Sequence, residues 1–226
     1  AALAVWLGFY GFMPRIPASS KSITPFDLRG TLRRYSVLLR NRAFVLSSIA
    51  LGLMSLPLIA WISLSPLLLI EGEGLSTLHY GLWQIPVFSG VILGNLLLDR
   101  LIAGTGLTQL IRYALWPLCA GLIALLVIST YGASIEWLIG CLTLYGVGLG
   151  MSNAVLYRLA LDSSKDSKGL VSAMIGMISI TIMGIAGSVI AALGGGSSLE
   201  SFACLAAIAG LACLVPLHFF LQRCRV

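Results

Sequence analysis

All 14 lysines and arginines of this chain fall on alternate sides of its long apolar runs. The runs are Phe44–Ile70, Tyr80–Leu98, Leu110–Thr130, Trp137–Leu161, Gly169–Leu193 and Ser201–Leu221. A helix needs about 20 predominantly apolar residues to cross a hydrocarbon core about 30 Å thick, and these runs supply them. The gaps 71–79, 131–136 and 194–200 hold no Lys or Arg; they hold Glu71, Glu73, Glu136 and Glu200. Every cation lies in the other gaps or within a few residues of them. Segment 14–42 carries Arg15, Lys21, Arg29, Arg33, Arg34, Arg40 and Arg42. Arg100 and Arg112 flank the loop 99–109, and Arg158, Lys165 and Lys168 lie around the loop 162–168. Arg223 and Arg225 are at the C-terminal end, where 222–226 reads as a tail. A Lys/Arg excess marks the cytoplasmic side of a membrane protein. One missed or extra span would scramble the alternation, so it also fixes the count at six.

Composition agrees. The chain has 226 residues, 58% hydrophobic and 10% charged, with a mean hydropathy of +1.00. A soluble domain is about 45–50% apolar and about 25% charged, so a soluble globular domain and a disordered chain are both excluded. The net charge of +6 does not point to nucleic acid, because the basic residues sit beside the bilayer as determinants of topology. The expected partner is the lipid bilayer.

Residues 1–13 are apolar but reach only about 20 Å as a helix. They lack the basic n-region and the cleavage site of a signal peptide. We expect them to be the end of a transmembrane helix, in a chain that is part of a longer protein. Segment 14–42 is then a central cytoplasmic loop. Within it, Thr24–Tyr35 reads as a short amphipathic surface helix with Thr24 or Asp27 as N-cap, or as an ordinary solvated helix. Residues 43–221 form the six-helix bundle.

Little in the chain suits catalysis. Cys119, Cys141, Cys204, Cys213 and Cys224 lie in or beside apolar spans with no CxxC spacing, as free thiols acting as small hydrophobes do. His79 and His218 have no partner at metal-ligand spacing, and neither HExxH nor GxSxG occurs. We expect no enzyme, no metal and no cofactor.

Polar residues inside a span usually face other helices or a cavity. Gln84, Phe88, Val91 and Asn95 share one helical face, and Gly146, Gly150, Asn153 and Tyr157 repeat the spacing. Gly169, Ser172, Gly176, Ser179/Ile180, Met183 and Gly187 form a third stripe. Ser48, Ser55, Ile59, Ile62 and Pro66 form a fourth, flanked by Leu58 and Trp61. Two readings fit these stripes. Small residues let helix backbones approach, and Asn or Ser bonds across helices. Alternatively the stripes wall a cavity for bulky lipophilic ligands, with Met supplying adaptable shape. Arg158 is the deepest charge, about one turn inside the cytoplasmic end. It snorkels, pairs with an acid from another helix, or faces the cavity. No Asp or Glu lies near a span midpoint.

Specific runs carry a resemblance. Gly94-Asn-Leu-Leu-Leu-Asp99-Arg100 resembles the second, weakened copy of the G-x-x-x-D-R loop signature of the major facilitator superfamily, without the basic cluster that follows it there. SVLLRNRA (36–43), GLMSLPLIAWI (52–62), YGLWQIPVFSGVILGNLLL (80–98) and VSAMIGM (171–177) are similar to the multidrug/chloramphenicol proton antiporters of bacterial inner membranes within that superfamily. The likeness runs in register to about Gly194. It implies an all-α membrane fold of twelve helices, of which this chain holds the C-terminal six-helix bundle and part of a preceding helix. It implies proton-coupled export of lipophilic drugs by alternating access, powered by the proton gradient, with the essential acids in the absent N-terminal half. It implies a cavity lined from this half by Leu58, Ile59 and Ile62, by Phe88, Val91 and Asn95, and by Gly176, Ile180 and Met183; Gln84 and Asn153 join them from the periodicity. It also implies inverted three-helix repeats, here 44–130 and 137–221. The alternatives are a transporter of the same fold for a sugar or metabolite, and a non-transporting truncated membrane protein.

Overall fold

The structure, a computed structural model, describes residues 28–164 and 166–223. The chain divides into two compact units, 1–34 and 35–226; of the first, only the opening turns of one helix are described. The expected partial helix 1–13, the caps Thr24 and Asp27, and Arg15, Lys21, Lys165 and Arg225 lie outside the described residues.

A helix α1 (Leu28–Arg40) is followed by α2 (Arg42–Pro66), α3 (Thr77–Ile102), α4 (Leu107–Tyr131), α5 (Ile135–Asp162), α6 (Lys168–Ile190), α7 (Leu199–Leu211) and α8 (Leu214–Arg223). Turns of π-helix extend α2 over Leu67–Gly72 and α6 over Ala191–Gly195. Among the described residues, six stretches are long and apolar enough to cross a membrane, with α7 and α8 together making the last. Two expectations are corrected. The surface helix does not end at Tyr35 but runs to Arg40, because Leu38 is buried in the bundle and holds its last turn down. Asp99 and Arg100 are not in a loop: α3 continues to Ile102, since Leu101 and Ile102 extend the helix-favouring run up to Gly104.

Between α1 and α2, Asn41 acts as a cap that the sequence analysis did not single out. Its Oδ1 accepts from the Ala43 and Phe44 amides at 3.1 and 3.4 Å, satisfying two of the orphan donors at a helix N-terminus. Its Nδ2 donates to the Ser163 carbonyl at 2.9 Å, tying the start of α2 to the end of α5.

The most buried helices are α2 and α5. Helix α5 packs on α3, α4 and α2; α2 packs also on α6, α7 and α8. The run Gly146-Val-Gly148-Leu-Gly150 explains how α5 serves two close neighbours. Gly146 and Gly150 are one turn apart on one face, and Gly148 is on the opposite face. A Cβ on Gly150 would strike the Val91 carbonyl oxygen, and a Cβ on Gly90 or Gly94 would strike the Thr143 or Val147 carbonyl. Residue numbers rise together along this contact, so α3 and α5 run parallel. On the other face a Cβ on Gly148 would meet the Leu118 backbone, and one on Gly121 the Tyr145 backbone; here numbers run oppositely, and α4 is antiparallel to α5. Small residues drive such crossings because lipid offers no hydrophobic gain for helix association.

Around its prolines, α2 is tied to its neighbours by side-chain hydrogen bonds. Pro57 has no N–H, and its ring pushes on the preceding turn. The carbonyl this frees is that of Leu53; next to it, the buried Tyr145 hydroxyl of α5 donates to the Met54 carbonyl at 2.6 Å, tying this turn of α2 to α5. Near Pro66, Trp61 Nε1 donates to Gln84 Oε1 at 2.8 Å, Gln84 Nε2 donates to Ser65 Oγ at 3.3 Å, and Ser65 Oγ meets the Tyr80 hydroxyl at 3.2 Å. This network joins α2 to α3. Trp61 is fully buried and packs on Phe202 with ring centroids 5.5 Å apart.

Candidate functional site

A cavity of about 530 Å³ opens between α2 and α6. From α2 it is lined by Ile59, Ala60, Ser63 and Leu64; from α6 by Ile180, Met183, Gly184, Gly187, Ser188 and Ala191. The lining follows helical spacing. Ile59 and Ser63 are one turn apart, as are Ala60 and Leu64. Ile180, Gly184 and Ser188 make one row on α6, and Met183, Gly187 and Ala191 make the next. Below the cavity α2 and α6 touch closely: a Cβ on Gly52 would sit 3.1 Å from Ile182 Cβ, and Ser179 Oγ donates to the Ser48 carbonyl at 3.3 Å. Above that contact the helices part. At Gly184 and Gly187 an added Cβ would meet nothing within 4 Å, so the missing side chains make the room.

The lining carries no charge. Its polar side chains are Ser63 and Ser188, and both hydroxyl protons are already used. Ser63 Oγ donates to the Ile59 carbonyl at 3.0 Å and Ser188 Oγ to the Gly184 carbonyl at 2.8 Å. The hydroxyl oxygens are left as acceptors only. The surface therefore suits an apolar molecule that brings its own hydrogen-bond donors.

The structure gathers some of the expected residues here and separates others. Ile59, Ile180 and Met183 line the cavity. Leu58 instead packs against the bundle core. Ile62 is exposed on α2 but lies off the cavity lining, and Gly176 is below it. On α3, Phe88 is 40% exposed and Asn95 is exposed, its Nδ2 donating to the Val91 carbonyl at 2.9 Å. They belong to the free face of α3, not to the α2–α6 cavity. Val91 is mostly a crossing residue, its carbonyl against Gly150 and its Cγ2 near Gly146. Gln84 is committed to Trp61 and Ser65, so it positions α3 on α2 and does not wall this cavity. Asn153 is exposed on α5, with no hydrogen bond among the described residues. The neighbouring Tyr157 hydroxyl bonds Ser172 Oγ at 2.5 Å, across to α6.

Gly94 stands five residues before Asp99, one more than the G-x-x-x-D-R spacing, and is a helix-crossing glycine against Val147 and Gly150. Asp99, Arg100 and Arg158 are exposed at helix ends, and none has an ion-pair partner among the described residues; the pair there is Lys168 Nζ with Asp162 Oδ1 at 2.7 Å. Sequence reasoning missed Ala60, Ser63, Leu64, Gly184, Ser188 and Ala191. The signal available for several of them was the same one-turn spacing: Ser63 and Gly184 lie one turn from Ile59 and Ile180, and Ala191 lies one turn beyond Gly187.

No family model matches the chain. Curated relatives do. The multidrug transporter MdfA of Edwardsiella ictaluri is 43% identical over 182 residues, covering 80% of this chain and 44% of the relative. That of Yersinia pestis is 43% identical over 194 residues, 84% of this chain and 47% of the relative. That of Escherichia coli is 42% identical over 205 residues, 88% of this chain and 49% of the relative. The chain is similar to the C-terminal portion of MdfA. It spans about half the length of the MdfA relatives it matches. It is a multi-pass membrane protein, with six membrane-spanning-capable stretches among the described residues.

Proposed function

We propose that this chain forms the C-terminal half of an MdfA-like exporter, which moves lipophilic drugs out through a bacterial inner membrane by proton-coupled alternating access. The observation that carries the reading is the uncharged α2–α6 cavity, with its acceptor-only serines, in a chain related to multidrug transporters. Lipophilic compounds with N–H or O–H donors fit such a wall, whether cationic or neutral. Sugars and polar metabolites would leave most of their hydroxyls without partners there.

Every Asp and Glu among the described residues lies at or beyond a helix end, and none lines the cavity. In this reading the proton-carrying acid comes from a second six-helix bundle. That bundle would cover α3 and α6, the least buried of the six spans, whose exposed apolar residues include Ile85, Phe88 and Ile92 on α3 and Met177 and Ile180 on α6. Ile59, Ile62, Phe88, Asn95, Asn153, Ile180 and Met183 then touch drug from this side. Leu58, Gln84, Val91 and Gly176 shape the helices that present them. Asp99, Arg100 and Arg158 act at the cytoplasmic ends, where the bundles rock against each other.

The test joins residues 35–226 to the N-terminal half of an MdfA relative, in cells stripped of their own drug exporters. The joined protein is expected to expel a lipophilic cation, and a protonophore is expected to stop it. Phe88→Ala and Asn95→Leu are expected to change resistance to some drugs several-fold and not to others, at unchanged abundance. No efflux at normal abundance, or identical resistance to every drug in both variants, would contradict the reading.

A further inference from the structure

We propose that the cleft between the start of α2 and the end of α8 is a binding site for an anionic phospholipid. Leu39, Arg42, Val45, Leu46 and Phe219 line a cavity of about 330 Å³ there. Arg42 is the first residue of a transmembrane helix, so its guanidinium sits at headgroup depth while Val45 and Leu46 lead into the apolar layer. Phe219 is 53% exposed, and Val215, one turn deeper on α8, is 60% exposed. Together they offer an acyl chain a continuous apolar track.

Charge complementarity selects the headgroup. Arg42 is exposed, and among the described residues no carboxylate lies within ion-pairing distance of it. An unpaired guanidinium presents a planar fork of donors that matches a phosphate. It also stands at the positive end of α2, which favours an anion in the same place. The Ala43 and Phe44 amides are already capped by Asn41, so the phosphate contact rests on the arginine side chain. A zwitterionic lipid could use the apolar track but carries its own cation beside the phosphate. A basic pocket between helix ends on the cytoplasmic face is the general form of an anionic-lipid site. The inference stands apart from the transport reading: it needs the six-span bundle in a bilayer and no second half.

The test uses the purified, delipidated chain in detergent. It is titrated with dioleoyl phosphatidylglycerol or dioleoyl phosphatidylcholine, and bound lipids are counted by native mass spectrometry. Phosphatidylglycerol is expected to bind the tighter, and Arg42→Gln to weaken it about fivefold, the effect of one basic residue near a membrane surface. Arg42→Lys, which keeps the charge and loses the fork, should fall between the parent and Arg42→Gln, and Arg112→Gln, a basic residue at another helix end, should leave the affinity unchanged. A location readout keeps Arg42 in place: in Phe219→Trp, the new indole should be quenched by brominated-acyl phosphatidylglycerol at lower concentration than by the phosphatidylcholine analogue. Equal binding of the two lipids, equal weakening by Arg112→Gln, or no preferential quenching of the reporter would overturn the proposal.

Discussion

Gly150→Ala is expected to destabilise the bundle by about 3 kcal/mol or more, although it adds a single methyl group. That methyl would land on the Val91 carbonyl oxygen and 3.1 Å from the Asn95 amide nitrogen. Both obstacles are backbone inside α3, so neither can rotate aside. Overpacking a well-filled site costs about 1–3 kcal/mol, and a clash with backbone belongs at the upper end or beyond. The helices must separate locally, which also breaks the Gly90, Gly94 and Gly146 contacts along the same seam. Two controls bracket the effect. At Gly146 the nearest atom to an added Cβ is the Val87 oxygen at 3.1 Å, so Gly146→Ala should cost clearly less. At Gly140 nothing lies within 4 Å; there alanine should be neutral, or stabilising by up to about 1 kcal/mol through helix propensity. Thermal or SDS unfolding of the purified chain measures the order. Equal stability of the Gly150→Ala and Gly140→Ala variants would mean that α3 and α5 do not cross where the structure places them.

Gly187→Phe is expected to do the reverse, sparing the fold and abolishing the proposed function. An added Cβ at Gly187 meets nothing within 4 Å, and the space beyond is the α2–α6 cavity of about 530 Å³. A phenyl ring there occupies the ground a drug would take, between Ile59 and Met183. Melting behaviour should stay near that of the parent. Efflux by the joined two-bundle protein should fall at least about tenfold, the equivalent of about 1.4 kcal/mol of lost binding. Gly184→Leu narrows the same cavity from the adjacent row and should follow with a smaller loss. Full efflux from Gly187→Phe at normal abundance would remove the α2–α6 cavity from the drug's route.

These two glycines show what the sequence could reveal and what it could not. Hydropathy and the one-sided placement of Lys and Arg were enough for six spans, because each is a property of a whole segment averaged over many residues. The role of a single glycine is not such a property. Gly150 and Gly187 both sit on small-residue stripes of apolar helices. One meets a carbonyl and the other meets open space, and only the relative placement of two helices decides which. The partners of Gln84 were hidden for a related reason. Its spacing with Phe88 and Asn95 is real, but Trp61 and Ser65 reach it from another helix and occupy its amide. Ile59, Ile180 and Met183 were picked out by one-turn spacing, and the structure places all three on the lining of the α2–α6 cavity. The ends of α1 and α3 were misplaced by a few residues because Leu38 and Leu101 extend their helices beyond the point where charge first appears.

The account rests on six crossings whose cationic ends all emerge on one side. Cysteine labelling in intact cells tests it most directly, with the native cysteines replaced and single cysteines placed at Arg34 and Ser164 on the basic side and at Gly74 and Ser197 on the other. A membrane-impermeant maleimide added outside should label the Gly74 and Ser197 positions and reach Arg34 and Ser164 only after the membrane is permeabilised. Labelling of Arg34→Cys or Ser164→Cys in sealed cells would contradict the topology and, with it, the assignment of this bundle to an exporter.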